Sequence, residues 1–304
     1  MPDSPYTIRP APLEQTIELI TSVEQEKLDR ALNELAAEDS SFSFSTEPGN
    51  GRTVLKGVSE DHLDAKCNML SEIYGLGLSI GAPRVAYREI PTTRARYEYT
   101  HKTIGVPEAE FAVVDIAIEP TSPGSGCRFT QRIAAGTIPD QFIPGVMRGV
   151  ERALAAGPVA GLKVTDVAVE LAGGRFHERD SSVGSFEIAA YAAVRAALRA
   201  ADPVLVEPIM RLEVTAPRDC GDAIWHDLDT RRARVEDMHG ALSHSESGDL
   251  TIRAMVPLMN MFGYRNVLRA MTQARASFTL DFDHYARAPI VDPPPFRPAI
   301  GKRA

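Results

Sequence analysis

Cysteine is scarce in this chain of 304 residues. Its three copies, Cys67, Cys127 and Cys220, are widely spaced and form no C-x-x-C pair. An odd, scattered set argues against a disulfide framework or a zinc site and points to a reducing cytoplasm. Long apolar runs are missing too: none approaches the roughly 18–20 residues of a membrane span, so no membrane partner is expected. The opening Met1-Pro2-Asp3-Ser4-Pro5 lacks the basic segment and apolar core of a secretory signal. Positive charge is in deficit, with 33 Lys and Arg against 41 Asp and Glu and a formal net charge of −8. That balance disfavours phosphate contact over a whole surface, although a small basic tip can act on an acidic body.

What is present suits a globular α+β protein. Hydrophobic residues make up 44% and charged residues 24% of the chain, and the length accommodates two or three domains. Residues 14–20 read as a strand. Ser22 and Gln25 stand at capping-box spacing before a helix with Leu28, Ala31, Leu32, Leu35 and Ala36 on one face. Phe42 to Thr46 alternates as a strand, Pro48-Gly49-Asn50-Gly51 marks a hairpin turn, and Thr53-Val54-Leu55 pairs back. A second helix starts near Ser59 with Leu63, Cys67, Leu70 and Tyr74 inward, and Leu78-Ser79-Ile80 returns as a strand. That order is βαββαβ, the ferredoxin-like arrangement. It recurs at the far end: a strand from Val204 to Thr215, a helix through Cys220, Ile224 and Leu228, strands at 234–238 and 250–256, a helix from near Leu258 to Gln273, and a strand at 277–282.

The middle differs. Alternating strands at 96–100, 111–118 and 127–133 precede a helix from Phe142 to Ala156. Thr165 to Leu171 is a further strand, and the Ala-rich stretch from Ile188 to Leu198 is helical. Between them lies Gly173-Gly174-Arg175-Phe176-His177-Glu178-Arg179-Asp180-Ser181-Ser182. The Gly pair is expected to make a sharp turn, and Asp180, Ser181 and Ser182 are candidates to cap the helix. On the residues alone this is either a capped turn with a solvated histidine or a site. Pro91 and Pro203 bracket the middle unit, and the Pro-rich tail from Ile290 is expected to be extended or disordered.

Gly174 to Ser182 resembles the G-x-Y-H-x-x-D-S-S loop of elongation factor G, the bacterial translocase, and the resemblance extends from about Leu13 to Tyr285. Asp39-Ser40-Ser41-Phe42 and Gly57-Val58-Ser59-Glu60-Asp61-His62-Leu63 are similar to its domain III. Gly81 to Glu89 looks like the link into domain IV, and Glu207-Pro208-Ile209-Met210, Gly221-Asp222-Ala223-Ile224 and Asp229-Thr230-Arg231-Arg232 resemble domain V. The resemblance implies an α+β fold of two ferredoxin-like domains flanking a domain like domain 2 of ribosomal protein S5. The expected bounds are 1–90, 91–205 and 206–287, with 288–304 as a tail. It also implies association with the ribosome. Arg175, His177, Arg179, Asp180 and Ser181 would form a domain IV tip at the decoding centre, meeting ribosomal RNA, tRNA and mRNA. Arg231, Arg232, Arg234 and Arg275 would face ribosomal RNA from domain V.

Departures from that pattern limit the function. The sequence has no G-x-x-x-x-G-K-S/T, hence no phosphate-cradling loop and no lysine for a nucleotide. The family's GTPase domain and domain II are missing from it, so no cofactor and no GTP hydrolysis are expected of this chain alone. Either a separate GTPase subunit is a partner, or the chain is a fragment and GTP hydrolysis and translocation belong to a longer parent protein. The second tip loop, Thr103 to Phe111, carries Glu108 and Glu110, which would repel phosphates. Ala274-Arg275-Ala276 stands where the family has Gly on both sides of the Arg, at a cost in backbone freedom. His239 and His244 have no third ligand nearby in sequence, and His177 with Glu178, Asp180 and Ser181 shows no nucleophile elbow. The expected function is ribosome association in translation. Two alternatives stay open: a protein-interaction or regulatory module that has lost its ribosomal contacts, favoured by the net charge and Glu108, and an enzyme on the old scaffold.

Overall fold

The computed structural model describes residues 12–21, 24–46, 52–103, 109–134, 136–239 and 249–289. Ser22, the Pro48–Gly51 turn, Glu108, residues 240–248 with His244, and the tail from Ile290 lie outside the described residues.

Leu13–Leu19 forms β1, with its odd positions turned inward. Helix α1 (Gln25–Glu38) buries Leu28, Ala31, Leu32 and Leu35, and its N-cap, Glu24, makes no side-chain capping bond. Strands β2 (Ser43–Thr46) and β3 (Thr53–Gly57) follow, then α2 (Glu60–Glu72) and β4 (Leu78–Ile80). Ser59 caps α2 by accepting from the amide of His62, and Glu60 and Asp61 complement the positive end of the helix. The sheet order is β2-β3-β1-β4, the ferredoxin-like order, and its neighbouring strands pair antiparallel. Two short strands that the sequence does not announce, β5 (Arg84–Val85) and β6 (Arg88–Ile90), give the link backbone partners in β1 and in the strand beginning at Val204.

The middle sheet contains β7 (Ala95–Lys102), β8 (Phe111–Pro120), β9 (Cys127–Gln131) and β10 (Val167–Arg175) in the order β7-β8-β10-β9. The β9–β10 pair is parallel, which requires a crossover, and α3 (Ile143–Ala155) supplies it. Helix α4 (Val183–Ala200) follows β10. Its Ala189, Ala190, Ala193 and Ala197 are buried with Val146, Val150, Ile116 and Val169 in one apolar cluster, where small side chains let helix and sheet approach closely.

The last part comprises β11 (Val204–Pro217), α5 (Gly221–Thr230), β12 (Arg234–His239), β13 (Asp249–Pro257), α6 (Tyr264–Thr272) and β14 (Ser277–Arg287). Its order, β12-β13-β11-β14, repeats that of the first sheet. The expected helix from 258 to 273 is interrupted: Leu258–Met261 is a 3-10 turn, and Gly263 takes φ 68° before α6 begins. The fold is α+β, with ferredoxin-like sheets at both ends of the sequence and an S5 domain 2-like sheet between them.

Two compact units result, one drawn from Met1–Ala86 and Glu207–His284, the other from Tyr87–Val206 and Tyr285–Ala304. In the first, Leu32, Leu55 and Leu63 share a continuous buried cluster with Leu212, Ile224 and Tyr264. The same unit is stitched by Arg265 on Asp61 at 2.7 Å and by the Gly263 amide donating to Glu60 at 3.2 Å.

Ala274 has φ 62°, which places its Cβ in the left-handed region. Ala274→Gly is expected to raise stability by about 0.5–1 kcal/mol, the relief of that strain less the entropy glycine adds to the unfolded chain. Denaturant unfolding monitored at Trp225, in the same unit, would show it; a lower midpoint would contradict it.

Candidate nucleic-acid interface

The loop between β10 and α4 is tightly built. The Gly pair does not turn the chain as expected: Gly173 and Gly174 lie inside β10, just past a bulge after Leu171. Gly174 is needed for close approach, since a Cβ there would collide with Ile138 and the Val113 carbonyl. Phe176 then turns its ring toward Phe142, 6.3 Å away, and Phe142 stacks on buried Phe186 at 5.1 Å. Of the three candidate caps, Ser182 serves, in a reciprocal capping box with Ser185. Asp180 and Ser181 do other work.

Ser181 is the loop's clasp. Its hydroxyl donates to the Phe111 carbonyl at 2.6 Å and accepts from the His177 amide at 2.9 Å, while its own amide donates to the His177 carbonyl at 3.1 Å. The Phe111 amide donates to the Asp180 carbonyl at 2.8 Å, fastening the loop to the start of β8. The Asp180 carboxylate lies 3.0 Å from His177 Nδ1, and the imidazole meets the Phe111 ring edge-on at 6.4 Å. With Nδ1–H held by Asp180, a neutral His177 presents Nε2 as an acceptor. Its side chain remains 56% exposed. Arg179 is exposed with no partner among the described residues, whereas Arg175 reaches Glu98 of β7 at 3.2 Å.

Glu110 of the neighbouring loop is not a bare negative charge, as the sequence suggested. It lies 2.7 Å from His101 Nε2, and its backbone pairs with Thr103.

The second set of candidates lies in the other unit. Arg231 is only 15% exposed: Nε donates to Asp227 at 2.7 Å, Nη1 donates to the Asn260 carbonyl at 2.6 Å, and the guanidinium sits 5.0 Å from the Tyr264 ring centre. Two of its donors are engaged inside the fold. Arg232 pairs with buried Glu207 at 2.7 Å, and Arg275 forks onto Asp219, whose carboxyl it holds below the usual range. Arg234, paired with Glu236 at 3.0 Å, is the most open at 82%. Spacing could not separate these roles, because part of what fixes Arg231 comes from Asn260, 29 residues away. Arg231→Ala is therefore expected to destabilise the protein by about 2 kcal/mol, and Arg234→Ala by no more than about 0.5 kcal/mol. Equal denaturation midpoints for the two variants would contradict this assignment.

Family models for elongation factor G match the chain along most of its length: domain III at 10–82, domain IV at 83–202 and the C-terminus at 204–293. A curated relative, the elongation factor G of Rhodopseudomonas palustris (strain BisB18), is 46% identical over 279 residues, covering 91% of this chain and 39% of the relative. A crystal structure of a protein from Thermus thermophilus superposes with a TM-score of 0.67 at 30% identity, over 92% of this chain and 41% of that one. Three consecutive domains of a translation factor are thus present in order. The chain belongs to the elongation factor G family and spans about two-fifths of the length of the relatives it matches. Membership supports a function of the translation elongation factor kind.

Proposed function

We propose that this chain associates with the ribosome in the cytoplasm, with the β10–α4 loop as its tip at the decoding region. The domain bounds are taken as 1–90, 91–205 and 206–287. The observation that carries the reading is the clasped loop: its backbone is fixed by Ser181, Phe111 and the Ser182 cap, while His177 Nε2 and Arg179 stay open. An ordered acceptor beside a cation suits an unstacked base and its phosphate. In the other unit, Arg234 is the residue best placed to meet ribosomal RNA, with Arg232 and Arg275 able to exchange a carboxylate partner for phosphate. The role of these three domains is read as occupancy of the ribosomal site, acting with a GTPase or competing for the site of one.

A photocrosslinking residue at position 178, beside His177, tests this. Crosslinks to small-subunit RNA or tRNA on 70S ribosomes, suppressed by full-length elongation factor G, are the expected result. Crosslinks to a non-ribosomal protein alone would overturn the proposal in favour of a protein-interaction module. That second reading draws on the carboxylate paired with each of Arg231, Arg232, Arg234 and Arg275.

A further inference from the structure

The outer face of α3 and α4 carries a second basic patch, away from the residues of the tip loop. The two helices run side by side in the same direction, with Gly145 against Val183 and Gly149 against Glu187 and Ala190; a Cβ at either glycine would collide with the backbone of α4. This close approach brings the Arg152 guanidinium to 4.7 Å from the centre of the Tyr191 ring. Arg195, one turn further along α4, donates Nη1 to the Tyr191 hydroxyl at 2.9 Å, with its guanidinium 5.6 Å from the same ring. Arg199, another turn along, is exposed.

None of Arg152, Arg195 and Arg199 has a carboxylate partner among the described residues. Arg148, a turn before Arg152, is paired with Glu187 at 3.0 Å. The contrast matters in a chain of net charge −8, where Arg94, Arg96, Arg175, Arg231 and Arg253 are all paired with acids. An aromatic ring orients a guanidinium without neutralising it, and leaves N–H donors free for a forked anion contact. The i, i+4 spacing of Arg195 and Arg199 puts their Cβ atoms about 5–6 Å apart on one face of α4.

The geometry points to a phosphate-backbone binding surface for RNA on this helix pair, formed by Arg152, Arg195 and Arg199 around Tyr191. Three uncompensated arginines favour a polyanion. The biological setting of this surface rests on the proposed ribosomal role, but its chemistry can be tested apart from it.

The test is binding of a fluorescent 20-nucleotide single-stranded RNA to the full chain across a salt series. The wild type is compared with Arg152→Ala/Arg195→Ala/Arg199→Ala, with the corresponding triple Lys variant and with Arg253→Ala as control. Far-UV circular dichroism establishes that each variant is folded. The Ala variant is expected to lose at least tenfold in affinity, with the slope of log K against log[salt] falling by about two, ~0.7 for each lost phosphate contact. The Lys variant should keep the slope and lose part of the affinity, and Arg253→Ala should match wild type. No RNA binding by wild type at low salt, or an unchanged affinity and slope in the Ala variant, overturns the inference. So does patch-dependent binding to polyglutamate with none to RNA. Patch-dependent RNA binding without binding to ribosomes would keep this inference and sink the ribosomal reading; ribosome binding with an unaltered Ala variant would do the reverse.

Discussion

Glu89→Ala is expected to destabilise the unit that contains it by about 3–5 kcal/mol. Glu89 is fully buried, and its carboxylate accepts from the amides of Val159 at 2.9 Å, Ala160 at 2.8 Å and Leu162 at 3.1 Å. Its backbone adds two bonds, donating to the Lys163 carbonyl and accepting from the Thr165 amide. One side chain thus satisfies the turn between α3 and β10, and Ala would leave three amide donors without a partner. A fully buried donor left unpaired costs about 1–3 kcal/mol, and less where water can reach it, as at the exposed Val159. Glu89→Gln retains one acceptor oxygen and should lose roughly half as much. The only tryptophan, Trp225, belongs to the other unit, so the effect should appear as an early transition in far-UV circular dichroism. An unchanged midpoint for Glu89→Ala would mean that the turn does not depend on this carboxylate.

The second large effect is at Asp39. Its carboxylate accepts from the Ser41 hydroxyl at 2.6 Å and the Ser41 amide at 2.9 Å, and lies 3.0 Å from Lys66 Nζ and 2.9 Å from His62 Nε2. The Val58 amide donates to His62 Nδ1, and Lys66 Nζ sits 5.4 Å from the centre of the Phe42 ring. Burial alone would raise the Asp39 pKa; Ser41, Lys66 and His62 outweigh it and hold the carboxyl well below its usual range. A depressed folded pKa means that the unfolded chain binds the extra proton first. The contribution to stability is therefore complete above the unfolded value of about 4 and is lost as pH falls below it. Asp39→Asn should cost about 3 kcal/mol at neutral pH, because Lys66, with a side chain only 10% exposed, loses its counter-charge. The variant should also show a flatter fall in stability between about pH 4 and pH 2. Parallel stability–pH curves for variant and wild type would contradict this assignment of the Asp39 contacts.

These two residues mark where the sequence stopped being informative. Asp39 to Phe42 and Gly57 to Leu63 were legible as family stretches, and alternation or helical periodicity located most strands and helices. No periodicity reports that Asp39 and His62, 23 residues apart, share a hydrogen bond, or that Glu89 closes a turn 70 residues on. Local signals misled where tertiary contact decided. The Gly pair at 173–174 looked like a turn and is a close approach within a strand. The expected helix from 258 to 273 is split because Gly263 adopts a left-handed conformation. At the candidate site, Ser182 was legible as a cap, but the clasp from Ser181 to Phe111, 70 residues apart, was not. Arg231 and Arg234 look alike in sequence, and only their neighbours separate a residue locked in the fold from one open to solvent.

Co-sedimentation with 70S ribosomes between about 50 mM and 200 mM salt tests the central claim most directly. Wild type should be run beside His177→Ala, Arg179→Ala and Arg234→Ala. Binding at low salt that fades across this range is expected, with weaker binding in each Arg variant and further loss at His177. Absence of wild-type binding at the lowest salt, or binding insensitive to both salt and these substitutions, would contradict ribosome association through the tip loop and Arg234.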